Sequence, residues 1–236
     1  MQLNFSAREV AIKLVYYGPA LSGKTTNLKA LHELSREGSR GRLMTLETKD
    51  DRTLFFDMLP LVLKTDVEGG LALRVKVFTV PGQVVHASTR RLVLQGADGV
   101  AFIADSQLSE VENNAASYLD LRANLQELGR AMAEVPLVIQ FNKRDLPDIR
   151  SEEELAELAK RGREPVYRAS AVKGEGVMES FFGLLDRAWR HLDHEHDLAS
   201  KLGVGADALL DRAAASLGYE GRARELAAAC IDGGRS

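Results

Sequence analysis

The chain has 236 residues, 34 acidic and 31 basic side chains, a net charge of -3 and 45% apolar content. That composition is ordinary for a globular protein, and the slight acidic excess argues against a dedicated nucleic-acid binder, which would carry a basic surplus. A single cysteine, Cys230, excludes an internal disulfide framework and suits a reducing compartment; with no leader, lipidation box or apolar run of spanning length, the expectation is a cytoplasmic protein without a membrane anchor of its own.

Residues 10–17 are a β-branched and aromatic run, which predicts a strand. Gly18-Pro19-Ala20-Leu21-Ser22-Gly23-Lys24-Thr25-Thr26 follows and fits G-x-x-x-x-G-K-[ST], a phosphate-binding loop. A polyphosphate needs many donors in a small space, so such a loop curls and turns its backbone N–H groups inward. Gly18 and Gly23 permit the curl. Ala20, Leu21, Ser22 and Thr26 contribute to the cradle, Lys24 reaches the β- and γ-phosphates, and the Thr25 hydroxyl can ligate Mg²⁺. Leu28, Ala30, Leu31 and Leu34 then recur at helical spacing, so strand, loop and helix stand in the required order. The alternative is a glycine-rich turn with a chance Lys-Thr.

Residues 61–63 and 71–80 read as two strands joined through Glu68-Gly69-Gly70, a hairpin signal. Thr79-Val80-Pro81-Gly82-Gln83 ends the second strand, and a helix is expected over residues 84–94. Residues 99–104 are apolar throughout, as in a strand buried on both faces. Asp105-Ser106 can cap the next helix, whose apolar stripe is Val111, Ala115, Tyr118, Leu121, Leu125 and Leu128. Another buried strand covers 136–141. Ser151 and Glu154 form a capping box for a helix over 151–161. A short strand at 165–167 and a helix over 177–192 complete the alternation. The fold class is α/β: a mostly parallel sheet with one antiparallel edge strand and helices on both faces. Ligands of such sheets bind at the carboxyl ends of the strands, where each motif here falls.

Asn142-Lys143-Arg144-Asp145 follows the strand that ends at Phe141. Behind a phosphate loop, this N-K-x-D resembles the guanine-reading signature of Ras-like GTPases. Guanine alone presents adjacent N1–H and N2–H donors, and one carboxylate, Asp145, can accept both. Asn142 can tie this loop to the phosphate loop, and the aliphatic stem of Lys143 can lie on the base. Ser170-Ala171 is similar to the weaker S-A motif, whose backbone N–H meets the base oxygen; a plain strand-to-helix turn is the alternative. Two switch segments are then expected. Thr53 stands where a threonine completes Mg²⁺ coordination when a γ-phosphate is present. Thr79-Val80-Pro81-Gly82 stands where D-x-x-G is usual, with Gly82 as the γ-phosphate sensor and Gln83 orienting the attacking water. The Asp of that pattern is replaced by Thr79, which leaves its Mg²⁺ contact unfilled.

Residues 4–192 resemble the MglA family, the bacterial gliding-motility Ras-like GTPases. The resemblance is carried by Val15-Tyr16-Tyr17-Gly18-Pro19, Gly23-Lys24-Thr25-Thr26-Asn27-Leu28, Asp51-Arg52-Thr53-Leu54-Phe55-Phe56-Asp57, Thr79-Val80-Pro81-Gly82-Gln83-Val84, Ala104-Asp105-Ser106-Gln107 and Asn142-Lys143-Arg144-Asp145-Leu146-Pro147. It implies a Ras-like P-loop NTPase domain over residues 1–192 and a cytoplasmic GTP/GDP cycle that sets cell polarity. It also implies a roadblock-fold GTPase-activating partner of the MglB type, effector proteins, and Arg52 as an arginine finger in cis. Catalysis would then rest on Gln83, Arg52 and Lys24, and the metal on Thr25 and Thr53.

Two features depart from the family pattern. Ala20 stands where a glycine is usual, and its methyl points at the space a finger and a water must share. The chain also continues over residues 193–236, with Ala-rich helical patterns at 206–217 and 222–231. That extension reads either as a docking element or as a loosely ordered tail. His191, His194 and His196 alternate with acids, which fits a solvated helix end better than a metal site. Two rival readings remain. A small-molecule kinase would not need residues 142–145. A GTP-binding interaction module with little or no hydrolysis would accommodate Ala20, Thr79 and the extension.

Overall fold

A computed structural model describes residues 1–4, 9–47, 55–63, 72–82 and 87–231. The strands are β1 (Gln2–Asn4), β2 (Glu9–Tyr17), β3 (Met44–Glu47), β4 (Phe55–Leu63), β5 (Ala72–Thr79), β6 (Gly99–Asp105), β7 (Leu137–Asn142) and β8 (Val166–Arg168). The helices are α1 (Lys24–Leu34), α2 (Ala87–Leu94), α3 (Val111–Glu127), α4 (Glu152–Arg161), α5 (Val177–His196), α6 (Leu198–Leu202), α7 (Ala206–Leu217) and α8 (Ala223–Ala228).

The strands form one sheet in the order β3-β4-β5-β2-β6-β7-β8. From β5 to β8 every pairing is parallel. The expected antiparallel strand is β4, paired to β5 from Met58↔Phe78 to Leu63↔Leu73. β3 adds a further antiparallel partner outside it. β1 pairs antiparallel with Glu9–Ala11 of β2, below Leu14, where the β6 pairing begins. The helix expected over 84–94 is α2; residues 83–86 and the hairpin connection at 64–71 lie outside the described residues.

The central strand β6 is buried at all seven positions, in keeping with its unbroken apolar sequence. Alternation along the strands divides the core in two. On one face Leu14, Tyr16, Leu61, Val75, Ile103 and Val138 pack against α1 and α5. On the other, Val15, Tyr17, Phe102, Leu137 and Phe141 pack against α2, α3 and α4. α4 begins with the expected capping box: Ser151 Oγ accepts from Glu154 N at 3.2 Å, and Glu154 Oε2 accepts from Ser151 N at 2.8 Å.

Two local expectations change. α3 fully buries Asn114, Leu121, Asn124 and Leu125; of the expected stripe, Tyr118 and Leu128 are half-buried and pack on the core, Tyr118 edge-on to Phe102, Val111 is only half-buried, and Ala115 is exposed. Polar Asn114 is recruited instead: its side chain bonds both N and O of Asp105, closing the end of β6. Asp105 does not cap α3. Its Oδ1 accepts from Gln107 N at 3.0 Å, and a 3₁₀ turn at Leu108–Glu110 precedes the helix.

The extension past Leu192 packs onto the first face. Leu198, Leu202, Leu209, Leu210, Leu217 and Leu226 belong to the same apolar cluster as α1 and α5. Arg36 N donates to Leu217 O at 3.2 Å, and Ser39 Oγ meets Ser216 O at 2.7 Å. At the other margin Tyr167 OH donates to Ala227 O at 2.6 Å, and Ile231 N to Val166 O at 2.7 Å, so the segment after α8 lies against β8. The tyrosine passes α5 at Gly183, where a Cβ would lie 1.9 Å from its hydroxyl. Among the described residues no helix is long and apolar enough to cross a membrane.

Candidate functional site

The site lies at the carboxyl ends of β2, β5, β6 and β7, where backbone leaves the sheet for helices on either face. Residues 18–23 curl between β2 and α1. Gly18 has φ +147°, and a Cβ there would stand 2.2 Å from Ile103 O. Gly23 has φ +94°, with the side-chain nitrogen of Asn142 2.2 Å from where a Cβ would be. Both glycines are therefore required by contact as well as by dihedral. Leu21 adopts φ +60° without being glycine and is 88% exposed at the crown of the loop. A left-handed leucine costs about 1–2 kcal/mol, so the surrounding curl imposes it.

Lys24 is buried, and its Nζ donates to the carbonyls of Gly18 at 2.9 Å and Pro19 at 2.6 Å. Burial, and after it the positive charge of Arg90, brings its pKa down to about 8. Arg90 itself is buried on α2 and pairs with Asp120 of α3 at 2.9 Å. The Tyr17 hydroxyl also donates to Asp120, at the residue immediately before the loop.

The segment after β5 lies over the loop. Gly82 is pressed against its crown: a Cβ would fall 2.4 Å from Ala20 Cα and 2.8 Å from Pro19 C. Lys24, Thr25, Thr26, Asp57, Thr79 and Gly82 line one cleft of about 380 Å³. Within it three hydroxyls converge on the buried carboxylate of Asp57. Thr25 Oγ1 donates to Oδ2 at 2.6 Å, Thr45 Oγ1 to Oδ1 at 2.8 Å, and Thr79 Oγ1 to Oδ2 at 3.2 Å. Asp57 N in turn donates to Thr79 Oγ1 at 2.9 Å. Hard oxygen donors about one negative charge are the chemistry that Mg²⁺ selects. Sequence reasoning named Thr25 and missed Asp57. The available signal was a lone acid inside the apolar run of β4, together with the missing acid at Thr79.

The second constellation adjoins the first. Asn142 Nδ2 donates to Ser22 O at 2.9 Å, and its Oδ1 accepts from Ala171 N at 2.9 Å. One buried side chain thus joins the phosphate loop, the end of β7 and the turn after β8. Asp145 is exposed; Ser170 Oγ donates to its Oδ1 at 2.6 Å. That bond, before weaker contributions from Lys173 and Lys143, holds the Asp145 carboxyl below its ordinary range and ionised. Lys143 takes φ +66°, and its Nζ pairs with Asp105 Oδ2 at 2.5 Å.

Arg52, Thr53 and Gln83 lie outside the described residues. At the end of α5, His191 and His196 both face Glu195, at 3.4 and 3.8 Å. Among the described residues no group of three or more His, Cys, Asp or Glu is placed to hold a metal ion.

No protein-family model matches the chain. Among curated proteins, the mutual gliding-motility protein MglA of Myxococcus xanthus (strain DK1622) is 45% identical over 178 residues, which are 75% of this chain and 90% of that protein. The fold and the paired loops define a Ras-like small GTPase of the P-loop class. Within that class the chain belongs to the MglA family. The match leaves about a quarter of the chain unmatched.

Proposed function

We propose that the protein is a GTP-dependent molecular switch that hydrolyses GTP to GDP, acting in the cytoplasm in cell polarity or motility. The observation that carries this reading is the Asn142–Ser22 hydrogen bond, which sets a guanine-reading carboxylate beside a phosphate cradle at a fixed spacing. The relative's name, a gliding-motility protein, supports the cellular role.

The backbone N–H groups of the loop would bind the β- and γ-phosphates, and Lys24 would exchange its two carbonyl partners for phosphate oxygens. Asp145, already oriented by Ser170, would accept both guanine donors. Lys143, anchored on Asp105, would hold its stem against the base. The Thr25 hydroxyl, with Asp57 beside it, would hold Mg²⁺ together with Thr53, and the ion would supply positive charge to the phosphate oxygens. Gly82 is positioned to register the γ-phosphate, because it already touches the loop's crown. In the reaction, a water oriented by Gln83 attacks the γ-phosphorus, the bond to the β,γ-bridging oxygen breaks, and GDP and inorganic phosphate form. Arg52 and Lys24 stabilise the charge that develops. A roadblock-fold activator of the MglB type is the expected partner in accelerating this step, and effectors would read the positions of the two switches.

A second reading, a GTP-binding interaction module that hardly hydrolyses, is favoured by one contact. Gly82 sits against Ala20, the residue whose methyl is unusual. Single-turnover hydrolysis of GTP and of ATP by the purified chain, with and without a roadblock-fold activator, tests both readings. GTP-selective turnover that the activator accelerates supports the switch. Tight GTP binding with no turnover in either condition supports the module.

A further inference from the structure

Between β7, α1 and α5 the apolar core is interrupted by three polar side chains. Gln140 is fully buried on β7, on the face that carries Val138. Its Nε2 donates to Asn27 Oδ1 at 2.9 Å and to Ser180 Oγ at 2.7 Å. Asn27 Nδ2 donates to Gly23 O at 3.0 Å, and Ser180 Oγ donates to Gly176 O at 2.8 Å. Asn27 and Ser180 are also buried.

The ends of this chain of bonds are informative. Gly23 is the last glycine of the phosphate loop. Gln140 stands two residues before Asn142, so both point to the same face of β7. Gly176 closes the turn that begins at Ser170 and Ala171, pinned by the Ser170–Glu175 bridge. The three loops that converge on the nucleotide site are therefore tied twice. Asn142 ties them at the rim, and Gln140 ties them one pleat deeper.

Stability alone does not call for the deeper tie. An apolar trio of the same shape would be neutral or stabilising, whereas one unpaired member of a polar trio is costly. Directional bonds add fixed spacing and orientation between the elements they join. We propose that Gln140 is a positioning residue for the nucleotide: acting through Asn27 and Ser180, it fixes the phosphate loop relative to the guanine loops and so governs how slowly a bound guanine nucleotide leaves. Phosphate and base are the two ends of one covalent ligand, and an error in the distance between their cradles forces that ligand or the loops to strain before both ends can be gripped together.

This inference rests on the guanine-nucleotide reading of the site. The test uses the full chain loaded with N-methylanthraniloyl-GDP and chased with unlabelled GDP. Wild type is compared with Ser180→Ala and with the triple variant Asn27→Leu, Gln140→Met, Ser180→Ala, which nearly keeps the side-chain volumes and leaves no orphaned polar group. Expected for the triple variant are a melting temperature close to wild type and release faster by about tenfold or more, equivalent to about 1.4 kcal/mol of binding. Its preference for guanine over adenine nucleotide should be unchanged, since Asp145 is untouched. Ser180→Ala, which removes one arm with little change of volume, should accelerate release by roughly threefold; it decides the matter if the triple variant does not fold. Variants that release at the wild-type rate overturn the role of Gln140. A wild-type chain that does not bind the labelled GDP overturns the nucleotide reading itself.

Discussion

Asp57 and Thr79 face each other across β4 and β5, joined by the hydrogen bonds from Asp57 N to Thr79 Oγ1 at 2.9 Å and from Thr79 Oγ1 to Asp57 Oδ2 at 3.2 Å. Thr79 occupies the position of the acid in D-x-x-G, while Asp57 accepts from the hydroxyls of Thr79 and of Thr25. On the proposed reading, Asp57 would serve from the neighbouring strand in place of that acid, oriented by the threonine. Asp57→Asn keeps the shape and removes the charge. Nucleotide retention at millimolar Mg²⁺ should then drop towards the level seen with a chelator, by about tenfold or more. Release in the chelator itself should change little. A Mg²⁺ titration of GDP release checks this, and an Asp57→Asn curve that overlays wild type removes Asp57 from the metal site.

Lys24 makes phosphate binding depend on pH. Its pKa falls from the ordinary 10.5 to about 8 on folding, so between those values the unfolded chain holds a proton that the folded chain has released. Stability should rise with pH across that window, with the full penalty for the buried charge present below pH 8. Bound phosphate favours the charged amine and opposes the shift, so nucleotide binding should take up a fraction of a proton near pH 8. Affinity should weaken above that pH, by at most about tenfold per unit. Calorimetry in buffers of different ionisation enthalpy measures the uptake. Zero uptake would mean that Lys24 is not the phosphate partner.

The extension should be part of the cooperative core. Leu210 is buried within the cluster shared by α1, α5 and α7, and Leu210→Ala should cost about 2–5 kcal/mol. Urea unfolding followed by the fluorescence of buried Trp189 on α5 should show a single transition moved to lower urea. A main transition left in place would show α7 to be an independent appendage.

Much of this architecture was legible in the sequence. The unbroken apolar run of β6, the capping box of α4 and the loop glycines follow from residue type and spacing. What escaped reading depends on partners distant in the chain. Asp57 acquires meaning only through the β4–β5 register that sets it opposite Thr79. Asn114 looks like an exposed helix residue until it closes the end of β6. The Ala-rich helices of the extension have weak apolar faces on their own. Their burial depends on the surface that α5 and β4 offer them.

Ala20 should slow turnover more than binding. Binding uses the loop's backbone N–H groups, which a methyl leaves intact, whereas a misplacement near 1 Å at the reacting atoms can cost about 10²-fold in rate. The close approach of Gly82 to Ala20 leaves little slack there. Ala20→Gly should hydrolyse GTP faster in single turnover with the activator present, with affinity unchanged. An equal rate would show that the methyl is no brake.

The central claim is that the loops joined by Asn142 read guanine through Asp145, and a titration of Asp145→Asn against GTP and xanthosine triphosphate tests it most directly. The substitution turns one acceptor into a donor facing the N2 amino group of guanine, where xanthine carries an oxygen. The account predicts GTP affinity weakened by about 2–4 kcal/mol, with xanthosine triphosphate bound more tightly than by wild type. GTP affinity equal to wild type, with no gain for the xanthine nucleotide, would contradict it.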